Sequence, residues 1–167
     1  MQPEELLELM KHRRSIRSYT DDAVSDENIK MILEAGRWCQ SASNVQPWKF
    51  IVIKDPDILE KISKCATYGK FIKAANIAIA VIADKVNAPK WYIHDTSMAS
   101  HQMCLMISAL GLGTCWIGSM QRDKVAKILG LNKRKEFVTT ILPVGHPLSH
   151  PEPTQRKELE DITSYVE

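Results

Sequence analysis

Three arginines fall within five residues near the N-terminus: Arg13, Arg14 and Arg17. A guanidinium group presents a planar fork of N–H donors that matches phosphate and carboxylate oxygens, and it stays charged at physiological pH. Ser15 adds a hydroxyl group of the kind that joins such sites. The run therefore indicates an anion clamp. The alternative is a solvated basic helix end, because charge runs are usually surface features.

A second polar run, residues 41–48, lies between a helical pattern and a strand pattern, where binding residues tend to lie. It contains small hydroxyls, two amides and the pair Pro47-Trp48. Amides both donate and accept hydrogen bonds, which suits the edge of a heterocycle with alternating donors and acceptors. An ordinary loop rich in turn formers is the other interpretation.

A third motif reads Gly-Leu-Gly-Thr-Cys-Trp-Ile-Gly from Gly111 to Gly118. It is not a dinucleotide fingerprint, because its glycines follow a helix and the third falls two places late. By itself the pattern favours a helix C-cap followed by a short strand.

With Arg156-Lys157 near the C-terminus, these motifs occur in the order found in the nitroreductase family of FMN-dependent oxidoreductases, which the chain resembles over nearly its whole length. The resemblance implies one nitroreductase-like domain, residues 1–167, with FMN as cofactor and no catalytic side chain, since the flavin carries the hydride. It implies a three-layer α+β fold: a central, mostly antiparallel sheet flanked by helices, with a C-terminal arm that reaches across a homodimer.

The resemblance also assigns roles to residues of the site. Arg13, Ser15 and Arg156 would hold the phosphate, Arg14 would contact the ribityl chain or ring edge, and Arg17 would lie at the pyrimidine edge. Arg13 and Arg17 would share a face if the helix continued through them. An amide near Ile117 would meet flavin N5. The implied cofactor contacts are Arg13, Arg14, Ser15, Arg17, Ser41, Ala42, Ser43, Asn44, Gln46, Thr67, Cys115, Trp116, Ile117, Gly118 and Arg156.

Three positions depart from the family pattern. Gln40 stands where proline is common, Ala42 replaces a usual serine, and residues 67–69 lack an amide that many members direct at the pyrimidine edge. We therefore expect flavin affinity or orientation to differ from the family. The chain also lacks the inserted helices of larger members, which predicts an open substrate pocket.

Composition excludes several classes of function. A length of 167 residues suits one domain, and a net charge of +2 gives no general electrostatic case for nucleic acid. No apolar run reaches the ~18 residues that a membrane helix needs, and no N-terminal signal pattern is present. Four cysteines without a Cys-x-x-Cys pair indicate free thiols in a reducing cytosol, hence a cytoplasmic protein without a metal site.

Hydrophobic spacing predicts helices over 3–12, from Ser25, from 55–65, over 91–110 and over 123–131. It predicts strands over 49–53, 77–83 and 137–145, with a short strand after Gly111. This order is compatible with a doubly wound sheet as well as with the α+β fold that the resemblance implies. The segment from His146 is rich in proline and polar residues, and we expect it to be an arm.

The predicted function is a ping-pong oxidoreductase. A reduced nicotinamide or a ferredoxin would reduce the FMN, and a small electrophile such as a nitroaromatic or a quinone would oxidise it. One alternative is a flavin-binding storage or sensing protein without turnover. Another is a helical interaction module whose arginines bind acidic partners.

Overall fold

The computed structural model describes residues 2–166, in which local signals in the sequence set nine helices and strands. One helix begins with Asp55 as its N-cap, whose side chain accepts hydrogen bonds from the amides of Asp57 and Ile58, and with Pro56 in its first turn. Ser25 caps another helix in the same way. In chain order the elements are α1 (Pro3–His12), α2 (Asp26–Arg37), β1 (Trp48–Ile53), α3 (Pro56–Cys65), β2 (Ile77–Asp84), α4 (Tyr92–Ala109), β3 (Gly113–Thr114), α5 (Arg122–Ile128) and β4 (Glu136–Gly145).

The four strands form one antiparallel sheet in the order β1-β2-β4-β3. Strand β2 is central, and its residues 77–83 are buried on both faces, as its continuous apolar run predicts. Helices α3 and α5 cover one face through Leu59, Ile62 and Val125. Helices α2 and α4 cover the other through residues that include Ile32 and Met103. The α+β prediction is thereby confirmed, and the doubly wound alternative is wrong.

The arginine-rich segment is extended rather than helical. Helix α1 ends at His12, and the amide of Ile16 donates to the carbonyl oxygen of Thr114 at 2.9 Å, which aligns residues 15–16 beside β3. Ile16 is buried because it packs inward from this segment. Alternate residues of an extended chain share a face, so Arg13, Ser15 and Arg17 lie on the side opposite Ile16. The helix does not continue through Arg13 and Arg17, which was the condition given for a shared face, but the two arginines share a side of the extended chain instead.

Membrane-spanning helices and metal-binding clusters are both absent from the described residues, 2–166. Within them, no helix combines the length and the apolar character needed to cross a bilayer. No three His, Cys, Asp or Glu side chains in that range are grouped closely enough to hold a metal ion. All four cysteines are buried free thiols.

Candidate functional site

A cavity of about 550 Å³ brings the two ends of the chain together at the sheet edge. Residues 10–17 form one wall, and residues 151–156 of the C-terminal segment form the other. The cavity is thus lined by Arg13, Arg14, Ser15, Arg17 and Arg156, although Arg156 is about 140 residues away in sequence. The structure brings all of the sequence-predicted phosphate contacts to one place.

The electrostatics of this cavity fit an anion. Among the described residues, its only lining carboxylate is Glu152, and its fifth cation, Lys11, is paired with Glu8 at 2.8 Å. Within residues 2–166 none of the four arginines forms an ion pair with a carboxylate. Like charges held this close repel one another, so a bound phosphate dianion relieves the repulsion and accepts charge-assisted hydrogen bonds. The donor set therefore suits a phosphate-bearing cofactor.

Three of the arginines keep most of their donors free. Arg13 is half-buried and makes no side-chain hydrogen bond to any residue that the structure describes. Arg17 makes one long contact, 3.5 Å from Nη1 to the carbonyl oxygen of Ser15. Arg156 donates through Nη1 only to Thr154 and Gln155 in its own segment. Their remaining N–H groups are available to a ligand.

Arg14 differs from these three because its Nε and Nη1 donors are engaged by backbone carbonyls, one of them in the C-terminal segment, while Nη2 has no partner among the described residues. Its Nε donates to the carbonyl oxygen of Pro151 at 3.1 Å, and its Nη1 donates to those of Lys11 and Arg13 at 2.6 and 3.0 Å. The guanidinium group thus joins the N-terminal segment to the C-terminal segment. The expectation that Arg14 contacts the ribityl chain or ring edge stays a prediction, since these bonds leave the N–H groups of Nη2 without a partner among the described residues.

The C-terminal segment, residues 146–166, runs as an arm beside residues 14–20. The amide of Thr20 donates to His146, the amide of Leu148 donates to Ser18, and the hydroxyls of Ser18 and Ser149 lie 3.2 Å apart. From Leu148 to Val166 the residues are exposed. The expectation of an arm agrees with this geometry.

The Gly111–Gly118 motif ends α4, forms β3 and then continues beside β4. The amide of Ile117 donates to the carbonyl oxygen of Ile141 at 3.1 Å, so that N–H is not free for a ligand. The neighbouring amides of Trp116 and Gly118 have no hydrogen-bond partner in the described part of the chain. Thr67 lies against this motif, since its amide donates to Ser119 at 3.0 Å and its Oγ1 accepts from the Ser119 hydroxyl at 3.0 Å.

The loop of residues 41–46 is held in a strained shape. Ser43, Asn44 and Gln46 have φ angles of 50°, 55° and 52°, in the left-handed region that favours glycine. Each such residue costs roughly 1–3 kcal/mol, which surrounding contacts must offset. The Ser41 hydroxyl accepts from the amide of Gln46 at 2.9 Å. None of residues 41–46 lines the arginine cavity; Gln46 borders a different one, beside Trp48 and Glu136.

Asp95 supports this loop, a role that the sequence did not reveal. Its side chain is 2% exposed, and its Oδ1 accepts from the amide of Ala42 at 3.3 Å. Its Oδ2 has no partner among residues 2–166. The residues next to Asp95 in the sequence do not indicate this contact, because it joins residues 53 positions apart.

The cysteines near the site are not nucleophiles. Burial raises the pKa of the Cys104 thiol to about 12, so this thiol is protonated at neutral pH. Burial, and next the carboxylate of Asp95, raise the pKa of Cys39. Cys115 is buried beside Trp116. The geometry thus offers an anion site and backbone donors rather than thiol chemistry.

A three-layer α+β fold with a basic cavity at its sheet edge is suited to binding a ligand that carries a phosphate group. Comparison with known proteins identifies the family. The family profile for the nitroreductase family matches residues 10–68 and 63–146, so the chain belongs to this family. The chain is 37% identical over 152 residues to an Archaeoglobus fulgidus protein provisionally named NADH dehydrogenase/NAD(P)H nitroreductase, covering 86% of each chain.

Solved structures agree with this assignment. An FMN-dependent nitroreductase from Clostridium difficile superposes with a TM-score of 0.86 at 30% identity, over 96% of this chain and 98% of that one. A provisionally named nitroreductase from Desulfovibrio desulfuricans, solved in complex with FMN, superposes with a TM-score of 0.88 at 30% identity, over 100% and 98%. The family predicted from the sequence motifs is confirmed.

Proposed function

We propose that this chain is an FMN-dependent oxidoreductase that takes electrons from a reduced nicotinamide, or from a ferredoxin, and passes them to a small electrophile such as a nitroaromatic or a quinone. Membership of the family and the FMN complex of the Desulfovibrio relative support the cofactor. The observation that carries the proposal is the cavity with four arginines and no ion-paired carboxylate among the described residues.

The roles of the side chains follow from their free donors. Arg13, Ser15 and Arg156 hold the phosphate, while Arg17, on the same side of the extended segment, lies at the pyrimidine edge. The unpartnered amides of Trp116 and Gly118 are available to the ring system, with Thr67 beside them. Bound FMN supplies the hydride chemistry, so the protein's contribution is binding, orientation and electrostatics. We assign no catalytic side chain.

The loop of residues 41–46 reaches the cofactor in this proposal from a second copy of the chain. In one chain it lies away from the arginine cavity. A broad apolar depression of about 610 Å³ between α1, α2 and α4 is lined by residues such as Leu6, Met31, Trp38 and Leu105. Trp38 is 73% exposed there, and exposed apolar patches of this kind mark interaction surfaces. A homodimer buries this face.

We expect the protein to be an obligate homodimer, with an interface that buries more than ~2,000 Å² in total. Light scattering coupled to gel filtration should give twice the mass of one chain at micromolar concentration. Trp38→Glu, which places a charge in the apolar depression, should shift the mass towards one chain, whereas Trp91→Glu, at a tryptophan outside that depression, should not. A flavin-loaded monomer of the wild-type protein would refute the dimer.

We expect Arg17→Gln to lower the two-electron reduction potential of the bound flavin. A cation at the pyrimidine edge stabilises the negative charge that reduction brings there, so its loss disfavours reduction. A lost interaction of about 1.4 kcal/mol corresponds to about 30 mV. Titration with xanthine oxidase and a reference dye measures the shift. An unchanged potential combined with lost flavin would place Arg17 on the phosphate instead.

One experiment tests the function as a whole. The protein should purify yellow, and its heat-released flavin should comigrate with FMN rather than FAD. Under anaerobic conditions, NADH, NADPH or a reduced ferredoxin should bleach the bound flavin, and a nitroaromatic or quinone should restore the colour. Initial rates should give parallel double-reciprocal plots. Bound flavin that none of these donors bleaches would contradict turnover and favour storage or sensing.

A further inference from the structure

The arm has a last point of attachment, and it lies at Arg14. Upstream of it, residues 146–149 are hydrogen-bonded to residues 18–20. The bond from Arg14 Nε to the carbonyl oxygen of Pro151 follows at 3.1 Å. Beyond Pro151, the described residues of the arm hydrogen-bond only to one another. Arg156, which lines the arginine cavity, is therefore five residues past the last tie to the rest of the protein.

We propose that Arg14 is a positioning residue: it fastens the arm so that Arg156 reaches the anion, and it is not itself a ligand of that anion. The inference deepens the proposed function and rests on it wherever FMN serves as the probe. Among the four arginines of the cavity, Arg14 is the one that the described residues show bonded to a different segment of the chain. The anion site would then depend on a contact that does not involve the ligand.

The need for a clasp follows from charge. Arg156 approaches a wall that already carries Arg13, Arg17 and Lys11, so in the absence of an anion the arm is repelled from the place where it works. Without the hydrogen bond from Arg14 to Pro151, the last contact between the arm and the rest of the protein is the one between the hydroxyls of Ser18 and Ser149. Arg156 then lies seven residues past the last tie instead of five, and the effective concentration of its guanidinium group at the cavity falls.

The geometry of the clasp requires arginine. Its Nη1 binds the carbonyl oxygens of Lys11 and Arg13 while its Nε binds Pro151, so one planar group bridges the end of α1 and the arm. A lysine ammonium at this position keeps the charge but has no second nitrogen to span both segments. Arg14→Lys therefore separates the effect of charge from the effect of the clasp.

A double-mutant cycle on full-length protein freed of flavin tests the coupling, with affinity measured by FMN fluorescence titration. We expect Arg156→Ala to weaken binding at least about tenfold and Arg14→Ala to weaken it about twofold. In a chain that already lacks Arg156, Arg14→Ala should leave the affinity unchanged, because it acts through the absent residue. Arg14→Lys should resemble Arg14→Ala, and Lys133→Ala, which removes a positive charge outside the cavity, should not.

Trypsin gives a readout without flavin. Cleavage after Arg156 and Lys157 releases the end of the arm, and its rate can be followed by mass spectrometry. Arg14→Ala and Arg14→Lys should accelerate this cleavage several-fold over wild type and Lys133→Ala, and FMN should slow it most in wild type. The trypsin experiment remains informative even if FMN is not the ligand. A failure of the proposed function can therefore be distinguished from a failure of this inference.

Two results would overturn the inference. Independent, multiplicative losses of affinity for Arg14→Ala and Arg156→Ala would make Arg14 a direct ligand. Wild-type cleavage rates in both Arg14 variants would show that the arm is held without this residue.

Discussion

Replacing Arg156 with alanine should weaken FMN binding at least about tenfold, and it should do so without destabilising the fold. Arg156 lines the arginine cavity, and its side-chain hydrogen bonds go only to its own exposed segment. Its loss removes a charged hydrogen bond to the phosphate, worth roughly 1.5–3 kcal/mol, and no packing. Fluorescence titration of flavin-free protein measures the effect, and denaturant unfolding of the same sample checks the fold.

Lys133→Ala is the matched control for this prediction. Lys133 also carries one positive charge, but it forms an exposed ion pair with Asp123 at 2.9 Å and does not line the cavity. Such surface pairs contribute about 0–1 kcal/mol to stability, and this one has no path to the ligand. Equal FMN affinities for the two variants would remove Arg156 from the site.

Gly113→Ala should lower the free energy of unfolding by about 1–3 kcal/mol, the usual cost of overpacking. A Cβ atom at this position would lie 2.7 Å from the Cβ of Ile16, which cannot move without its backbone. The bond from the Ile16 amide to Thr114 would lengthen, and Ser15, next to Ile16, would shift with it. FMN affinity should therefore fall together with stability. Guanidinium unfolding and flavin titration measure the two effects.

Gly118→Ala is the comparison for stability. Among the described residues, the nearest atom to an added Cβ at Gly118 would be Nε1 of Trp116, at 3.4 Å, which is an ordinary contact. Its unfolding free energy should stay within about 0.5 kcal/mol of wild type. If Gly113→Ala were as stable as Gly118→Ala, residues 15–16 would not depend on close approach to β3.

The nine helices and strands were predictable in order because their signals are local. Caps at Ser25 and Asp55 and the apolar run of β2 lie within the elements that they define. The sheet order was not predictable from spacing, since pairs such as Ile79 with Leu142 join distant parts of the chain. Here the family resemblance supplied what periodicity could not.

For the site, residue type predicted the arginine cavity but not the geometry of its wall. Whether the helix continued through residues 13–17 was left open, and the structure has an extended chain there, in which polar Ser15 and Arg17 flank the buried Ile16. That the amide of Ile117 is taken by Ile141 depends on strand pairing, and that Asp95 reaches Ala42 depends on tertiary packing. Neither contact leaves a mark in the local sequence.

The cavity wall joins segments from opposite ends of the chain, and this has a consequence for biosynthesis. Residues 13–17 leave the ribosome well before Arg156, which lies about 140 residues later in the chain. Contacts of such long sequence separation form only when the intervening chain is available to close the loop. The nascent polypeptide therefore cannot assemble the complete anion site before Arg156 has been synthesised, and a cofactor that depends on Arg156 is held fully only after that point.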